Sequence, residues 1–529
     1  MHKLKSLFTT NKLSENQLIG LLAIVASLIA WRVALIQQGW INSDTTLYFE
    51  QARLFALGEW RAALTLYMWP LYALLIAATK TITGLSIHAA AQLLNVIFYG
   101  ITSYALSKLI QLAGGDKTTI LCGNALLFSC AYISGSVLGM LLRDEGFWAF
   151  FLLSLVYFIR FLRGTQFKDA LFWQLCCIVA MLFRLEAVTY LLILPLILFT
   201  YKQYSTYERL NLIGKVYALP LVLIILSVFA ALALNTINLS SFGRIEEIFV
   251  AFSGGSGSMY SLFLHKSDIM ANAVLGNYLE DFAQAGLALT LLWIVIVKCL
   301  MSAGWLPLTL IASQGKQALH LPQHDTQRVL WWVMAIAFIN GILIVFHSFV
   351  LSSRYVIAFS FTLLIFAAFG LASLIKQAKT NVQQTEQNAM TKRGIKHRIM
   401  QVYLVLSLLI ICGFFIKNIA TKRSDYSYDK QAAEWVMQQA PLGSRIHFDG
   451  GTMRYYAHMP WAGREDNEQL AGLITDLNSG KQRFDYLVMR VKANKPSKLE
   501  QLRALKEYNE FKQFCYKSGN CIVVFKHRN

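Results

Sequence analysis

A lone aspartate, Asp44, follows the first long apolar run of the chain, within Asn42-Ser43-Asp44-Thr45-Thr46-Leu47-Tyr48. A carboxylate beside a bilayer is costly unless it is hydrated, paired or in use. An acid at the mouth of a many-span protein is a candidate general base. Three more charged groups fall where apolar runs end. They are Arg143-Asp144-Glu145, Arg184 with Glu186, and Arg354-Tyr355. Guanidinium groups match carboxylates and phosphates two bonds at a time. Acids and arginines gathered at one membrane surface would suit an anionic, lipid-linked substrate. Each group also has a plainer reading. Asp44 suits a helix N-cap, Arg143 and Asp144 a solvated turn, and Arg354 an interfacial anchor. Arg184 and Glu186 lie two apart, so on one helix they would not face each other and each would need another partner.

The elements that must position these groups are membrane helices. The 529 residues are 56% hydrophobic and 15% charged, with a mean hydropathy of +0.48. That excludes an ordinary soluble chain and a disordered one, and it calls for repeated runs of about 20 apolar residues. Apolar windows predict eleven spans, at 17–36, 86–112, 118–138, 146–163, 169–184, 187–201, 213–234, 283–303, 329–350, 355–376 and 399–418. The run 64–83 is broken by Trp69-Pro70 and reads as a juxtamembrane or re-entrant helix. Along 44–57, Asp44, Tyr48 and Gln51 share one side while Leu47, Leu54 and Leu57 define the apolar one. That predicts a helix lying in the interface with Asp44 at its N-terminal end.

The formal charge of +19 does not imply nucleic acid, because Lys and Arg gather between spans. Roughly twenty of them, from Lys3 to the cluster Lys376–Arg398, fall on one side, and about eight, among them Arg53, Arg143, Arg184 and Arg354, on the other. The positive-inside rule makes the first side cytoplasmic. Asp44 and everything after residue 419 then face outward. Lys3, Lys5 and Lys12 precede the first apolar run without a small-residue cleavage site, so that run reads as a retained helix.

Residues 1–418 thus form a transmembrane domain and 419–529 a small external one. In the tail, strand-like runs at 444–448, 486–489 and 522–525 alternate with helical patterns at 428–440 and 496–508, which predicts an α/β domain. Segment 377–397 is a charged, Gln-rich loop. Of eight cysteines, Cys122, Cys130, Cys176, Cys177, Cys299 and Cys412 read as small hydrophobes of apolar spans. Cys515 and Cys521 lie in polar sequence at hairpin spacing, where an oxidising compartment would allow a bridge. The Gly/Ser-rich stretch 252–258, with His265, Lys266 and Asp268 behind it, reads as a lid or a plain connector. It lacks the strand-to-helix setting of a phosphate loop, and neither a G-x-S-x-G elbow nor an H-E-x-x-H pair occurs. His320 and His324 are separated by a proline on a cytoplasmic loop, which disfavours a metal site.

Taken in order, these residues resemble a family. The chain is similar to the membrane-embedded GT-C glycosyltransferases, in the family 39-like branch of protein O-mannosyltransferases and lipid A aminoarabinose transferases. The likeness runs through Asp44, Tyr48, Ala52-Arg53 and Gly58-Glu59-Trp60, then Trp69-Pro70-Leu71-Tyr72. It continues in Arg143-Asp144-Glu145, Arg184-Leu185-Glu186 and Arg354-Tyr355. Tyr48 stands one position off the usual tyrosine spacing, Thr45 stands where many relatives carry a second acid, and Trp69 where they carry a proline. The resemblance implies a mainly α-helical polytopic membrane protein, with about eleven transmembrane helices, juxtamembrane helices and an extracytoplasmic α/β tail. It implies sugar transfer from a polyprenyl-phosphate donor to a lipid, glycan or protein acceptor outside the cytoplasm, and the compact loops with the external tail favour a bacterial inner membrane over the endoplasmic reticulum. Asp44 would then be the base and Asp144 would orient hydroxyls. Arg184, Arg354 and Arg143 would hold the donor phosphate. Glu186, Tyr48, Arg53, Glu145, Tyr355, His265 and Lys266 would support them. No cofactor is called for, and no metal ligand is assigned. A transporter or flippase, or an O-antigen polymerase or ligase, is the competing class. Its signature would be pseudo-repeated halves or arginines in one late outer loop.

Overall fold

A computed structural model describes residues 13–36, 40–233, 255–276, 278–382, 392–421, 427–463, 467–516 and 519–528. The chain divides into two compact units. One comprises Met1–Ile29, Asn95–Ser136 and Arg143–Asn418; the other comprises Ala30–Leu94, Val137–Leu142 and Ile419–Asn529.

The helices open with α1 (Glu15–Ile36), α2 (Ser43–Ala56), α3 (Trp60–Leu66), α4 (Leu71–Thr83), α5 (Ile87–Leu112), α6 (Lys117–Ser129), α7 (Asp144–Gly164) and α8 (Phe167–Phe183). Next come α9 (Ala187–Ile193), running into a 3-10 stretch Leu194–Thr200, and α10 (Thr206–Ala233), α11 (Gly255–Ala273), α12 (Ala283–Met301) and α13 (Trp305–Gln314). The short α14 (Lys316–Leu319), then α15 (His324–Ser348), α16 (Ile357–Val382) and α17 (Lys392–Ile419), complete the apolar part. Among the described residues eight of these segments are long and apolar enough to cross a membrane. Expected spans 118–138, 169–184 and 187–201 fall instead on α6, α8 and α9, of 13, 17 and 7 residues. Cys130 ends α6 in extended backbone, and Arg184 ends α8 in the same way.

Burial separates an inner from an outer set of helices. The apolar window that includes α16 is 89% buried and that of α7 is 78% buried, against 11% for α10 and α17. Apolar side chains left outside by α10 and α17, such as Ile225, Leu409 and Ile416, suit a lipid surround. Cys412 belongs to this outer set and is exposed, unlike the buried Cys122, Cys130, Cys177 and Cys299.

The interfacial helix α2 is more enclosed than its pattern suggested. Tyr48 and Gln51 are buried, whereas Leu57, expected on the apolar side, is exposed. The Tyr48 ring lies 6.0 Å from that of Tyr67 and 5.6 Å from that of Tyr72. Gln51 Nε2 donates to the carbonyls of Ala63 and Tyr67 at 3.0 and 2.5 Å. The carbonyls of Ala63, which also accepts from the Tyr67 amide, and of Tyr67 thus take the amide that a solvated face would have shown to water. The break at 67–70 separates α3 from α4, as Trp69-Pro70 implied.

The tail holds α18 (Tyr428–Gln439), β1 (Ile446–Phe448), α19 (Gly451–Tyr456), α20 (Asn467–Asn478), β2 (Tyr486–Val491), α21 (Pro496–Arg503), β3 (Tyr508–Cys515) and β4 (Cys521–His527). The sheet order is β1-β2-β4-β3, parallel between β1 and β2 and antiparallel elsewhere. Alternation divides the core. Phe448, Val488 and Val524 pack with Ala432, Ala433 and Val436 of α18. Leu487, Met489, Val523 and Phe525 pack with Leu477 and Leu502 on the other face. Strand β3 had no alternating signal, because it is an exposed edge with a register break between Glu510 and Lys512. The helix expected over 496–508 ends at Arg503 to make room for it. Cys515 and Cys521 close the β3–β4 hairpin as a disulfide.

Candidate active site

Asp144 opens α7 and is wholly buried. A bare carboxylate there would be prohibitive, so charge must meet it. Arg184 supplies the first partner, through a hydrogen bond and ion pair from Nη1 to Asp144 Oδ1. Arg354 supplies the second, from Nε to Oδ1 at 3.1 Å and from Nη2 to Oδ2 at 2.8 Å. Arg184 also reaches Glu186, with Nη2 to Oε1 at 2.7 Å and Nε to Oε2 at 3.4 Å. Its guanidinium stacks 4.9 Å from the ring centroid of Tyr355. Five of the sequence-predicted residues therefore form one network: Asp144, Arg184, Glu186, Arg354 and Tyr355.

Backbone geometry explains the pairing of residues two apart. Arg184 caps α8 with φ −145° and ψ 125°, and Glu186 precedes α9. The two residues are therefore not on one helix, and the extended link turns both side chains to the same side. The expectation that each would need a different partner is corrected on this point. Glu145, next to Asp144, is fully buried and neither of its carboxylate oxygens has a hydrogen-bond partner. Arg143, 9% exposed, is the residue before α7, and its charge acts on both Asp144 and Glu186.

A glycine sets how closely α7 and α8 approach. A Cβ on Gly146 would stand 2.4 Å from ring atoms of Phe183, the residue before Arg184. The contact therefore fixes where α8 ends and where Arg184 starts. Gly146→Ala is expected to cost about 1–3 kcal/mol by overpacking, read as lower thermal stability in detergent. An unchanged melting point would mean that this approach is not tight. Gly146 escaped sequence reading, and the available signal was a small residue amid Phe147-Trp148 in an otherwise bulky helix.

Asp44 stands on α2, in the other compact unit. Asn42 rather than Asp44 caps this helix, its side-chain oxygen accepting from the Asp44 amide at 2.9 Å. Asp44 is half-buried in the first turn, so capping does not explain its side chain. Beside it, Thr45 Oγ1 donates to the carbonyls of Met140 at 2.6 Å and Leu141 at 3.2 Å. Leu141 holds a left-handed φ of 53°, a conformation a leucine keeps only where its surroundings enforce it. Arg53 pairs with Glu50 at 2.8 Å along α2. His265 and Lys266 are exposed on α11, and Gly255–Ser258, expected within a loop, form the first turn of that helix. Residues 252–254 of the same stretch lie outside the described residues. Among the described residues no three His, Cys, Asp or Glu side chains gather as a metal site, and both Asp144 oxygens already face guanidinium groups.

No family model matches the chain, and neither does any curated protein. Its structure is similar to ArnT from Cupriavidus metallidurans, solved with undecaprenyl phosphate bound and in the apo state. The TM-score is 0.54 at 12% identity, over 95% of this chain and 97% of that one. It is also similar to the Archaeoglobus fulgidus oligosaccharyltransferase, solved with Zn and sulfate, with a TM-score of 0.52 at 12% identity over 95% of this chain and 72% of the other. The fold is thus the one expected from the residues, the GT-C fold: a largely helical body with a small α/β tail.

Proposed function

We propose that this protein is a glycosyltransferase that moves a sugar from a polyprenyl-phosphate carrier to an acceptor hydroxyl on the extracytoplasmic face of a bacterial inner membrane. The observation that carries the reading is the convergence of the buried Arg184 and the part-exposed Arg354 on the buried Asp144, in a chain with the GT-C fold. ArnT of this fold was solved with undecaprenyl phosphate, and a polyprenyl phosphate is the donor carrier proposed here.

In the reaction the acceptor oxygen forms a bond to C1 of the sugar as the bond from C1 to the carrier phosphate breaks, with inversion. The acceptor proton passes to Asp44, the general base. Charge grows on the departing phosphate, where preorganised arginines stabilise it more in the transition state than before it. Arg184 and Arg354 serve that role, with Arg143 adding charge nearby. Asp144, with both oxygens taken by guanidinium groups, acts as the anion that aims the two arginines; this replaces direct contact with sugar hydroxyls as its role. Glu186 and Tyr355 fix Arg184 from its other sides. The reading keeps residues 1–418 as the catalytic membrane domain and 419–529 as the external domain.

Membranes containing the protein, supplied with a panel of radiolabelled polyprenyl-phosphate sugars, are expected to transfer label to an endogenous acceptor. Transfer from no donor would sink the transferase reading and turn attention to transport. Orientation has its own test. A disulfide in the tail suits an oxidising compartment, so Cys515 and Cys521 are expected to resist an impermeant maleimide on intact cells until a reductant is added. Labelling only after the membrane is opened would place the tail inside. Cys515→Ser is expected to cost the tail about 2 kcal/mol, because a short loop loses its closure.

A further inference from the structure

A cavity of about 440 Å³ opens beside α2, on the side away from Asp44. Its lining takes Thr46, Phe49, Glu50 and Arg53 from α2, at i, i+3, i+4 and i+7, which is one helix face. Asp44, Tyr48 and Gln51 occupy the opposite face, where Tyr48 packs against Tyr67 and Tyr72 and Gln51 bonds the Ala63 and Tyr67 carbonyls. The tail supplies the facing wall through Tyr455, His458 and Trp461. All of these residues belong to one compact unit.

The tail backbone comes close to α2 at this wall. Gly451 forms part of it, and a Cβ there would stand 2.7 Å from Thr46 Oγ1 and 3.6 Å from Trp461 Nε1. His458 turns the chain with a left-handed φ of 55°. Arg454 Nε then holds the carbonyl of Pro460 at 2.9 Å, so that the loop carries Trp461 back over the opening. The Phe49 and Tyr455 rings lie 5.3 Å apart, and Tyr455 Oη meets His88 Nδ1 at 3.2 Å. Burial pushes the Tyr455 phenol up to about 12, so it is a neutral hydrogen-bonding group. The Glu50–Arg53 pair forms the polar rim.

We infer that this cavity is a recognition subsite for a pyranose unit of the acceptor, separate from the unit that reacts. The inference rests on the transferase reading and names a substrate contact beyond the reacting centre. Three aromatic side chains offer flat apolar faces to the C–H face of a sugar ring. The paired carboxylate and guanidinium, the imidazole and the indole N–H can meet ring hydroxyls. A lipid chain would leave those polar groups desolvated. The volume lies within the roughly 300–1,000 Å³ of small-molecule sites. A ligand on this face of α2 is turned away from the Asp44 carboxylate, so it contributes binding energy remote from the chemistry.

The test uses the full chain in phospholipid nanodiscs with methyl glycosides of glucose, galactose, mannose and N-acetylglucosamine, and with lactose and chitobiose, followed by saturation-transfer NMR. At least one is expected to bind saturably at about millimolar affinity. Trp461→Ala should weaken it by about tenfold or more, and Trp461→Phe, which keeps a ring face, by far less. Asp44→Asn should leave it unchanged. No saturable binding up to about 50 mM, binding indifferent to Trp461→Ala, or binding lost in Asp44→Asn would each overturn the inference. So would Trp461-dependent capture of a proline-rich peptide in place of every sugar. Sugar binding by a protein that transfers nothing would fell the transferase reading and leave the cavity a sugar site. Transfer with no sugar in the cavity would do the reverse.

Discussion

Asp44→Asn is expected to lower sugar transfer by at least about 100-fold at equal membrane insertion, the lower end of what a positioned base contributes. The substitution keeps shape and hydrogen bonding but removes the ability to take a proton. The α2 cap is kept, because Asn42 and not Asp44 provides it. That separation makes the experiment decisive. If Asp44→Asn transfers as well as the parent, the general base lies elsewhere and the mechanism fails at its first step. If it loses activity and thermal stability together, the carboxylate is structural. Only activity lost at constant stability supports proton transfer. The kcat should fall with little change in the KM for donor, as befits an interaction made in the transition state.

Asp144→Asn should injure both properties. Two guanidinium groups depend on this buried carboxylate, and Asn offers one acceptor without charge. Breaking a buried ion pair by removing one partner typically costs about 3–5 kcal/mol, because a charge is left uncompensated. Unfolding in detergent should therefore move to clearly lower temperature, and transfer should fall by about 100-fold or more as the arginines lose their aim. Arg354→Ala distinguishes the two contributions. The Arg354 side chain is 19% exposed, against 3% for Arg184, so its loss should disturb folding less while still lowering kcat by about 100–1,000-fold. Arg354→Lys keeps the charge but cannot make both bonds to Asp144 and should recover only part of the rate. Full activity in Arg354→Ala would remove the arginines from the reaction and leave the network a purely structural one.

Much of this architecture was legible because its signals are local. Long apolar runs marked the membrane-length segments found among the described residues, and short strand-like runs marked β1, β2 and β4, the last two being continuously apolar because both their faces are packed. Strand β3 was not legible: an exposed edge places no constraint on its side chains, and a bulge breaks what period remains. The runs read as spans at 118–138, 169–184 and 187–201 give shorter helices, because apolarity marks a run without fixing where its helix stops. The half-polar pattern of α2 misled because Gln51 finds its partners in the carbonyls of Ala63 and Tyr67 instead of in water.

The sequence by itself determined the membrane class, the α/β tail and the order of acids and arginines along the chain, from which the fold family followed. These depend on composition and on spacing within single elements. Only the tertiary structure decided that Asp144, forty residues before Arg184 and 210 before Arg354, would receive both. Only it showed that Arg184 and Glu186 would meet, because the extended backbone at Arg184 depends on where α8 stops against α7. The reason is the range of the forces. Periodicity and capping act over a few residues, whereas a buried charge selects its partner from whatever the packing brings within about 3 Å, and packing is a property of the whole chain.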